Sequence, residues 1–539
     1  MAPRVPDRPS ELGIQTTDGQ DSWWPTQQQT IQQIVDAYED KRFVLANVPT
    51  GGGKTIIATA VQRLLDVSSV NLTHSIYLQR QYAETMPWAA IVTGRRNHSC
   101  DLATELIGVD GMTADKAPCT QGDDCVYMGP EGCSYYRMLY DAADCRQVVT
   151  NYAYAVRIFR SPRLKGLGKN PFHRPFLVCD EAHLAEDAVV EANRTVFTRK
   201  TWRPLSAPFG SLVVLDWMGW AEGLIPSIKT ELSAIESVST GSELKRRASL
   251  KWMLSTLAGV AEIDKPDEYI VSAGADATSI RPLWGRTVAR ECLWGYFPRV
   301  LMMSATLGNP SVLIRKLGIP DEQCAYIEVP STFPAPNRPV FYWPVVAVSR
   351  KCTDPDWDRL SQAVNYLAEQ PGLKDKKGVI HTASFAVASR LYERLSHLSN
   401  RYMVHGRTTV SNTSLDASLL AFEHTSQPMV MISPSMTHGI DLPYVIGWQV
   451  IAKVPFSDLG DPIIKARRNF TEDSDPFGRK SYDDDAMNTV IQAAGRAVRS
   501  PTDRGVTYVL DQNFWPLYKR SYSPKWFSDA LRWLKKKEG

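Results

Sequence analysis

Two short segments carry the residues best suited to chemistry. VPTGGGKT spans Val48–Thr55 and DEAH spans Asp180–His183. Three glycines in a row, Gly51, Gly52 and Gly53, let backbone N–H groups approach a phosphate, and a helix starting behind them adds the positive end of its dipole. Thr50 belongs to the same binding loop, Lys54 is placed to reach β- and γ-phosphates, and the Thr55 hydroxyl is placed to hold Mg²⁺. In the acidic box, Asp180 acts on that metal, through water or directly. Glu181 positions and deprotonates the attacking water. Four letters alone are a weak signal. Behind the apolar run FLVC, and downstream of a phosphate loop, they are specific.

Further along, MSATLG (303–308) places Ser304 and Thr306 to hydrogen-bond the acidic box. QAAGRAVR (492–499) offers Arg496 and Arg499, three apart and so on one helical face. Cations presented from a second domain stabilise charge developing on a γ-phosphate. Gln492, four residues before Arg496, is placed to contact phosphate or water. In WWPTQQQTIQQI (23–34) an amide at a helix start reads adenine; Gln27 is the candidate, with Gln28 or Gln29 as substitutes. Taken singly, these last two segments also read as ordinary polar helix faces.

Between the loop and the box lie Cys100, Cys119, Cys125 and Cys133, spaced C-x18-C-x5-C-x7-C. Structural zinc sites usually show a C-x2–4-C knuckle in each half, and none occurs here. Four thiolates at irregular spacing suit a [4Fe–4S] cube; zinc and a partial cluster are the alternatives. Cys145 reads as a core residue, and Cys179, Cys292, Cys324 and Cys352 as structural.

These residues need elements to hold them. Apolar runs recur at 43–47, 70–74, 147–151, 176–180, 300–304, 378–382, 429–433, 448–452 and 506–511. Continuous apolar strands separated by helix-length segments imply parallel sheets covered on both faces. They fall into two sets, roughly 20–335 and 336–539, with the Pro-rich stretch STFPAPNRPVFYWP (331–344) between them. The expected fold is α/β, two such domains in tandem. Two stretches do not fit: 100–140, poor in long apolar runs, and 188–285, which reads as mostly helical. The C-terminal 525–539 reads as an amphipathic helix packed on the second domain.

At 539 residues the chain is too long for one core. No apolar run reaches about 18 residues, so no membrane span is expected. The first residues lack the apolar core of a secretion signal, and nine irregular cysteines do not form a disulfide framework, so a cytoplasmic setting is expected. A net charge of +3 does not advertise a nucleic-acid binder, yet a groove can be basic on a neutral protein. Basic clusters occur at 163–174 and at Lys535, Lys536 and Lys537.

In this order, the motifs resemble the XPD/DinG family of superfamily 2 DNA helicases. Beyond those above, the resemblance rests on TxxxYLQRQY (73–82), GRRNHSC (94–100), CSYY (133–136), VVTNYAYAV (148–156), GIDLP (439–443) and KVPFSDLGDP (453–462). The strict phosphate-loop pattern asks for Gly at 48; Val48 fits the [AP]xTGxGKT variant of superfamily 2. The resemblance implies two RecA-like motor domains, the first carrying an iron–sulfur insertion and a helical Arch insertion. Mapped onto this chain, the first motor domain takes 1–99, 141–187 and 286–335, the iron–sulfur insertion 100–140, the Arch 188–285 and the second motor domain 336–539. Room for both insertions exists, since Lys54 to Asp180 spans 126 positions and Asp180 to Ser304 spans 124.

The resemblance further implies an ATP-dependent 5′→3′ DNA helicase, a DNA-stimulated ATP hydrolase acting as a monomer on single-stranded DNA and forked or hybrid duplex. Its cofactors would be ATP, Mg²⁺ and a [4Fe–4S] cluster on the four cysteines, with Asp441 among the nucleotide contacts. Gln79, Arg80, Tyr152, Tyr154 and Ser384 are the candidates for the strand's track. One departure is His438, where the family often has Glu before the glycine of its GID motif; histidine brings a titratable group there. Two other readings share these motifs. One is a remodeller serving a mobile-element or defence complex without processive unwinding. The other is a catalytically weak scaffold, which predicts decay at Lys54, Asp180, Glu181 or Arg496; all four are intact.

Overall fold

The computed structural model describes residues 2–534, apart from 16–19, 103–111, 122–124, 162–163, 165–169, 236–240, 405–414, 435–445, 499 and 501. The apolar runs form strands because both faces can be covered. Every residue of Phe43–Asn47 and of Phe176–Asp180 is buried. The first domain contributes β1 (Phe43–Asn47), β2 (Ser69–Thr73), β3 (Ala90–Ile91), β4 (Gln147–Asn151) and β5 (Phe176–Asp180). The chain then leaves for β6 (Thr195–Thr198), β7 (Tyr269–Ala273) and β8 (Ala277–Pro282), and returns with β9 (Arg299–Ser304) and β10 (Cys324–Glu328). The sheet is wholly parallel, in the order β10-β1-β9-β5-β2-β4-β3. Its register sets Asn47 beside Ser304 and Asp180 beside Met303. The carboxyl ends of β1, β9 and β5 are therefore level, which is where open α/β sheets bind ligands.

A second seven-stranded parallel sheet comprises β11 (Val340–Val346), β12 (Gly378–His381), β13 (Tyr402–Val404), β14 (Val430–Ser433), β15 (Trp448–Ile451), β16 (Val506–Asp511) and β17 (Leu531–Trp533), in the order β13-β14-β12-β15-β16-β11-β17. All nine expected strands are present, within a residue at each end.

Three sequence readings need amending. First, residues 188–285 are mostly helical as expected, but not wholly so. The helices Val214–Ser233 and Gly241–Ala261 pack on each other and accompany a three-stranded antiparallel sheet, β6-β8-β7. The β7–β8 hairpin turns tightly, Gly274 N donating to Ala277 O at 2.8 Å. Its strands are too short and polar to stand out by apolar content. Second, the C-terminal helix stops at Ala530, and β17 pairs with β11. The residues 531–533 find an open sheet edge there. Trp533 packs edge-on to Tyr342 at 4.8 Å and to Trp515 at 4.9 Å, contacts a protruding helix would lack. Lys535, Lys536 and Lys537 lie outside the described residues. Third, Cys145 is half-buried at the end of the helix Ser134–Asp144, ahead of β4 rather than in its core.

No described helix is long and apolar enough to cross a membrane. The two domains meet through ion pairs set around a buried apolar patch, in which Trp284 packs on Phe470 and Phe477 at 5.8 and 5.0 Å. Arg467 grips the buried Glu186 at 2.7 Å, and Glu186 also accepts Gly285 N at 3.0 Å. Arg315 pairs with Glu472 and Asp475, each at 2.6 Å, and Lys316 with Asp485 at 2.6 Å. Removing one partner of a buried pair strands the other charge, at a cost of about 3–5 kcal/mol. Arg467→Ala is therefore expected to lower the melting temperature clearly. Arg467→Lys should recover only part of it, because lysine lacks the two-pronged donor. Equal melting temperatures for wild type and Arg467→Ala would refute this weighting.

Candidate functional site at the carboxyl ends of the first sheet

The phosphate loop springs from β1 and is tied to its neighbour at once. Val48 N donates to Ser304 O at 2.9 Å. The Asn47 amide, oriented to satisfy its surroundings, donates to Ser304 O and Ala305 O. Gly51 and Gly53 take φ of 76° and 72°, a region that disfavours any side chain, and the helix Lys54–Leu64 starts directly behind them. Of the three candidate glutamines, Gln27 lies on the loop. Its amide nitrogen donates to Gly52 O at 3.3 Å and its oxygen accepts Trp24 N at 3.0 Å. Gln28 instead reaches Pro6 O. Thr50 lines a narrow crevice with Pro49 and Phe333.

Lys54 Nζ lies 3.1 Å from Glu181 Oε1. Glu181 holds φ of 49°, rare for a residue with a side chain and costing on the order of 1–3 kcal/mol. Burial pushes its carboxyl up, but the charge and hydrogen bond of Lys54 and a hydrogen bond from Ser304 hold it below the ordinary glutamate range. Asp180 goes the other way. Burial raises it, only partly opposed by Lys54. Asp180 is also held at three points: Oδ1 accepts Glu181 N at 3.0 Å, Oδ2 accepts the Tyr82 hydroxyl at 3.3 Å, and its carbonyl accepts the Tyr152 hydroxyl at 2.9 Å. The Thr55 hydroxyl lies near the same Tyr82 phenol and offsets part of the rise that burial imposes on it, so the two residues expected to hold Mg²⁺ flank one buried tyrosine. Neither Tyr82 nor Tyr152 was expected in this role.

From Glu181 a chain of hydrogen bonds leaves the first domain. Ser304 Oγ donates to Glu181 Oε2 at 3.1 Å, His183 Nδ1 lies 2.8 Å from Ser304 Oγ, and Gln492 Nε2 lies 2.6 Å from His183 Nε2. With Gln492 donating, His183 is the neutral Nδ1–H tautomer, an assignment made from this donor order. Gln492 also donates to Thr306 Oγ1 at 2.9 Å. It stands on the helix Phe477–Ala494 of the second domain, so its contacts are with the acidic box and the SAT segment. That helix ends at Ala494, with Gly495 as its cap. Arg496 therefore sits in a turn and not on the helical face that its spacing from Gln492 suggested. Buried Gln449 secures the helix end, its nitrogen donating to Ala493 O at 2.7 Å and Thr507 Oγ1 at 2.8 Å. Arg499, Asp441, Gly439 and His438 lie outside the described residues.

Of the track candidates, Arg80 is exposed. Gln79 is buried and donates to Val92 O, Tyr152 is committed to Asp180, Tyr154 bonds the Tyr135 hydroxyl at 2.7 Å, and Ser384 caps the helix Phe385–Leu395.

The four spaced cysteines form no disulfide, and they converge. Cys100, Cys119 and Cys133 are buried in one apolar cluster with Tyr135, Tyr136 and Leu139, and Cys125 packs against it. Burial raises the Cys125 thiol, and Cys119, Cys133 and Cys100 each raise it further. Arg95 donates to Cys119 Sγ at 3.1 Å and to the Tyr136 hydroxyl at 3.0 Å. Among the described residues no three His, Cys, Asp or Glu side chains stand close enough to grip a single metal ion.

Residues 21–209 match the family model described as type III restriction enzyme, res subunit, and residues 368–530 match the helicase C-terminal domain. No curated protein sequence matches the chain. Among solved structures, an XPD helicase superposes with a TM-score of 0.60 at 16% identity, covering 94% of this chain and 99% of that one. Xpd4 of S. tokodaii gives 0.57 at 13% identity, covering 95% and 100%. The two family models fall on the two parallel-sheet domains and support a nucleic-acid helicase, a class that uses ATP and Mg²⁺. The fold of this chain is that of the XPD helicase structures.

Two outcomes are expected. Gln492→Ala should leave nucleotide binding near wild type yet slow stimulated ATP turnover about 10- to 100-fold, the worth of a hydrogen bond in a charged network; an unchanged rate would show the chain from Glu181 to be idle. The second concerns Asp484, whose oxygens accept Asn309 N at 2.9 and 3.1 Å just behind the SAT segment. Burial raises its carboxyl from 3.8 to about 7. The folded protein then holds a proton that the unfolded chain has released, so stability falls as pH rises from about 4 to about 7. Relative to Asp484→Asn, wild type should lose melting temperature across that window; parallel curves would contradict it.

Proposed function

We propose that this chain moves 5′→3′ along single-stranded DNA by hydrolysing ATP, and separates duplex or RNA–DNA hybrid ahead of it. The observation that carries the reading is the unbroken chain from Glu181 through Ser304 and His183 to Gln492. It makes the state of the hydrolytic carboxylate and the docking of the second domain one event. In this reading Lys54 and the N–H groups of Gly51, Gly52 and Gly53 hold the phosphates, Thr55 and Asp180 hold Mg²⁺, and Glu181 takes the proton of the attacking water. Arg496 and Arg499 answer charge on the γ-phosphate, while Gln27, Thr50 and Asp441 complete the nucleotide contacts. Polarity and the choice of DNA rest on the resemblance to XPD/DinG helicases.

Cys100, Cys119, Cys125 and Cys133 are proposed to hold a [4Fe–4S] cluster. Structural zinc sites usually show a C-x2–4-C knuckle that this spacing lacks, whereas a cube takes irregularly spaced thiolates, and Cys119, Cys133 and Cys100 all act on the Cys125 thiol. When bound, the cluster would cross-link a segment that is poor in apolar residues. A monomer in the cytoplasm completes the proposal.

Wild-type protein should unwind 5′-tailed duplex and leave 3′-tailed duplex intact; the reverse result overturns the polarity. Glu181→Gln should bind ATP and DNA but lose turnover by about 100-fold or more, and wild-type turnover would sink the site. Cys119→Ser should lose the brown absorbance and strand separation while keeping some DNA-stimulated ATP hydrolysis. Stoichiometric zinc without iron in purified protein would exclude the cluster.

A further inference from the structure

Phe333 has no part in the scheme above, yet it touches the centre of the site. It belongs to the linker between the two sheets and is almost fully buried. Its ring lies so close to Gly51 that a Cβ on that glycine would sit 2.1 Å from the ring's Cζ. Gly51 is one of the residues whose bare backbone lets phosphate approach; here the same bareness admits a phenyl ring. On its other side Phe333 packs with Ala497 and Val498, directly behind Arg496. The backbone at this point is pinned as well. Phe333 N donates to Ser331 Oγ at 3.1 Å, and Arg338 Nε donates to Phe333 O at 3.0 Å. Arg338 in turn donates to the carbonyl of Trp526, in the second domain.

We propose that Phe333 is a positioning residue that wedges the phosphate loop against the 497–498 segment, and that nucleotide binding must shift it. The inference rests on the ATPase reading above and adds a coupling that reading lacks. An anion settling on the loop needs close approach to the Gly51 backbone. The ring holds that approach closed at the cost of a fraction of binding-competent molecules, and apparent affinity is reduced by that fraction. Because the ring is packed on the segment carrying Arg496, moving it also moves that arginine. The wedge thus makes loop occupancy and arginine placement interdependent, and it keeps the unstimulated enzyme slow.

The test is titration of the full-length protein with Mg²⁺ and mant-ADP, alongside ATP turnover with and without single-stranded DNA. Phe333→Ala is expected to bind mant-ADP about tenfold more tightly, the affinity withheld by a buried ring. Its turnover without DNA should rise and its stimulation ratio fall. Phe333→Leu keeps apolar bulk without the ring, and should fall between wild type and Phe333→Ala even if the alanine variant folds poorly. Unchanged affinity in folded Phe333→Leu and Phe333→Ala, with wild type binding normally, overturns the inference alone. Weaker binding in both also overturns it, since it would make the ring a contact for the nucleotide. If wild type binds no mant-ADP and Lys54→Ala behaves identically, the ATPase reading itself fails, and the wedge with it.

Discussion

A lysine at the first turn of a helix is in an electrostatically poor place, because the helix dipole already concentrates positive charge there. Lys54 occupies that place, behind three glycines whose N–H groups add to the same sign. Glu181 compensates from the tip of β5, 3.1 Å away. Much of the local structure serves this pair. The left-handed backbone at Glu181 redirects the chain right after the strand, and two tyrosines hold the neighbouring Asp180 by its side chain and its carbonyl. Phosphates would compete with Glu181 for Lys54. A glutamate relieved of its cation keeps Ser304 and His183, which lead to Gln492. Under the proposed function, the exchange of Lys54 partners frees the general base and alters the bond to the second domain in one step.

That coupling needs an interface able to change. An apolar contact of domain-core quality would hold the two sheets in one arrangement, whereas domains that move meet through more polar surfaces. The pairs Arg467–Glu186, Arg315–Glu472 and Lys316–Asp485 are of that polar kind, and the apolar contact among them is small, Trp284 against Phe470 and Phe477. They gather toward the N-terminal half of the helix Phe477–Ala494, and Gln492 sits near its other end. That helix thus carries Asp485, one of the anchoring carboxylates, and Gln492, which contacts the acidic box, while Arg467, Glu472 and Asp475 lie just before it. A tilt about the anchored half would displace Gln492 most.

The central strands were legible because parallel strands buried on both faces must be apolar throughout, as FVLAN and FLVCD are. Most of the eight that escaped notice have weaker demands: β3 is two residues long, β10, β13 and β17 lie at edges, and β6, β7 and β8 form a small antiparallel sheet, whereas β11 was masked by the prolines of the junction stretch in which it begins. Within the site, the loop and box could be read because their chemistry fixes residue types at fixed spacing. Tyr82 and Tyr152 could not, because nothing local links them to Asp180, which is 98 and 28 residues away. The sheet order makes that link by placing β2 beside β5. The helix end at Ala494 was hidden for a different reason. QAAGRAVR is rich in helix formers, and only burial of Ala497 and Val498 against Phe333 explains why the chain turns there.

The two insertions meet the same physical constraint in opposite ways. A loop inserted between paired strands costs little in closure entropy, about 0.6 kcal/mol per doubling of length, so β5 and β9 stay in register although the Arch-like segment separates them. What an insertion needs is a reason to fold. Residues between β5 and β9 have a core of their own, built on Phe197, Trp202, Trp217 and Leu257. Among the described residues the cysteine segment has none: Cys100, Cys119 and Cys133 are buried in the cluster that also covers the motor sheet, alongside Leu72, Val148 and Tyr152. Tyr152 in that cluster holds the carbonyl of Asp180. Whatever cross-links the cysteines therefore presses on the packing that positions the acidic box. Loss of the proposed cluster should then be felt first in how well the motor is coupled, and only secondarily in whether its nucleotide loop can form.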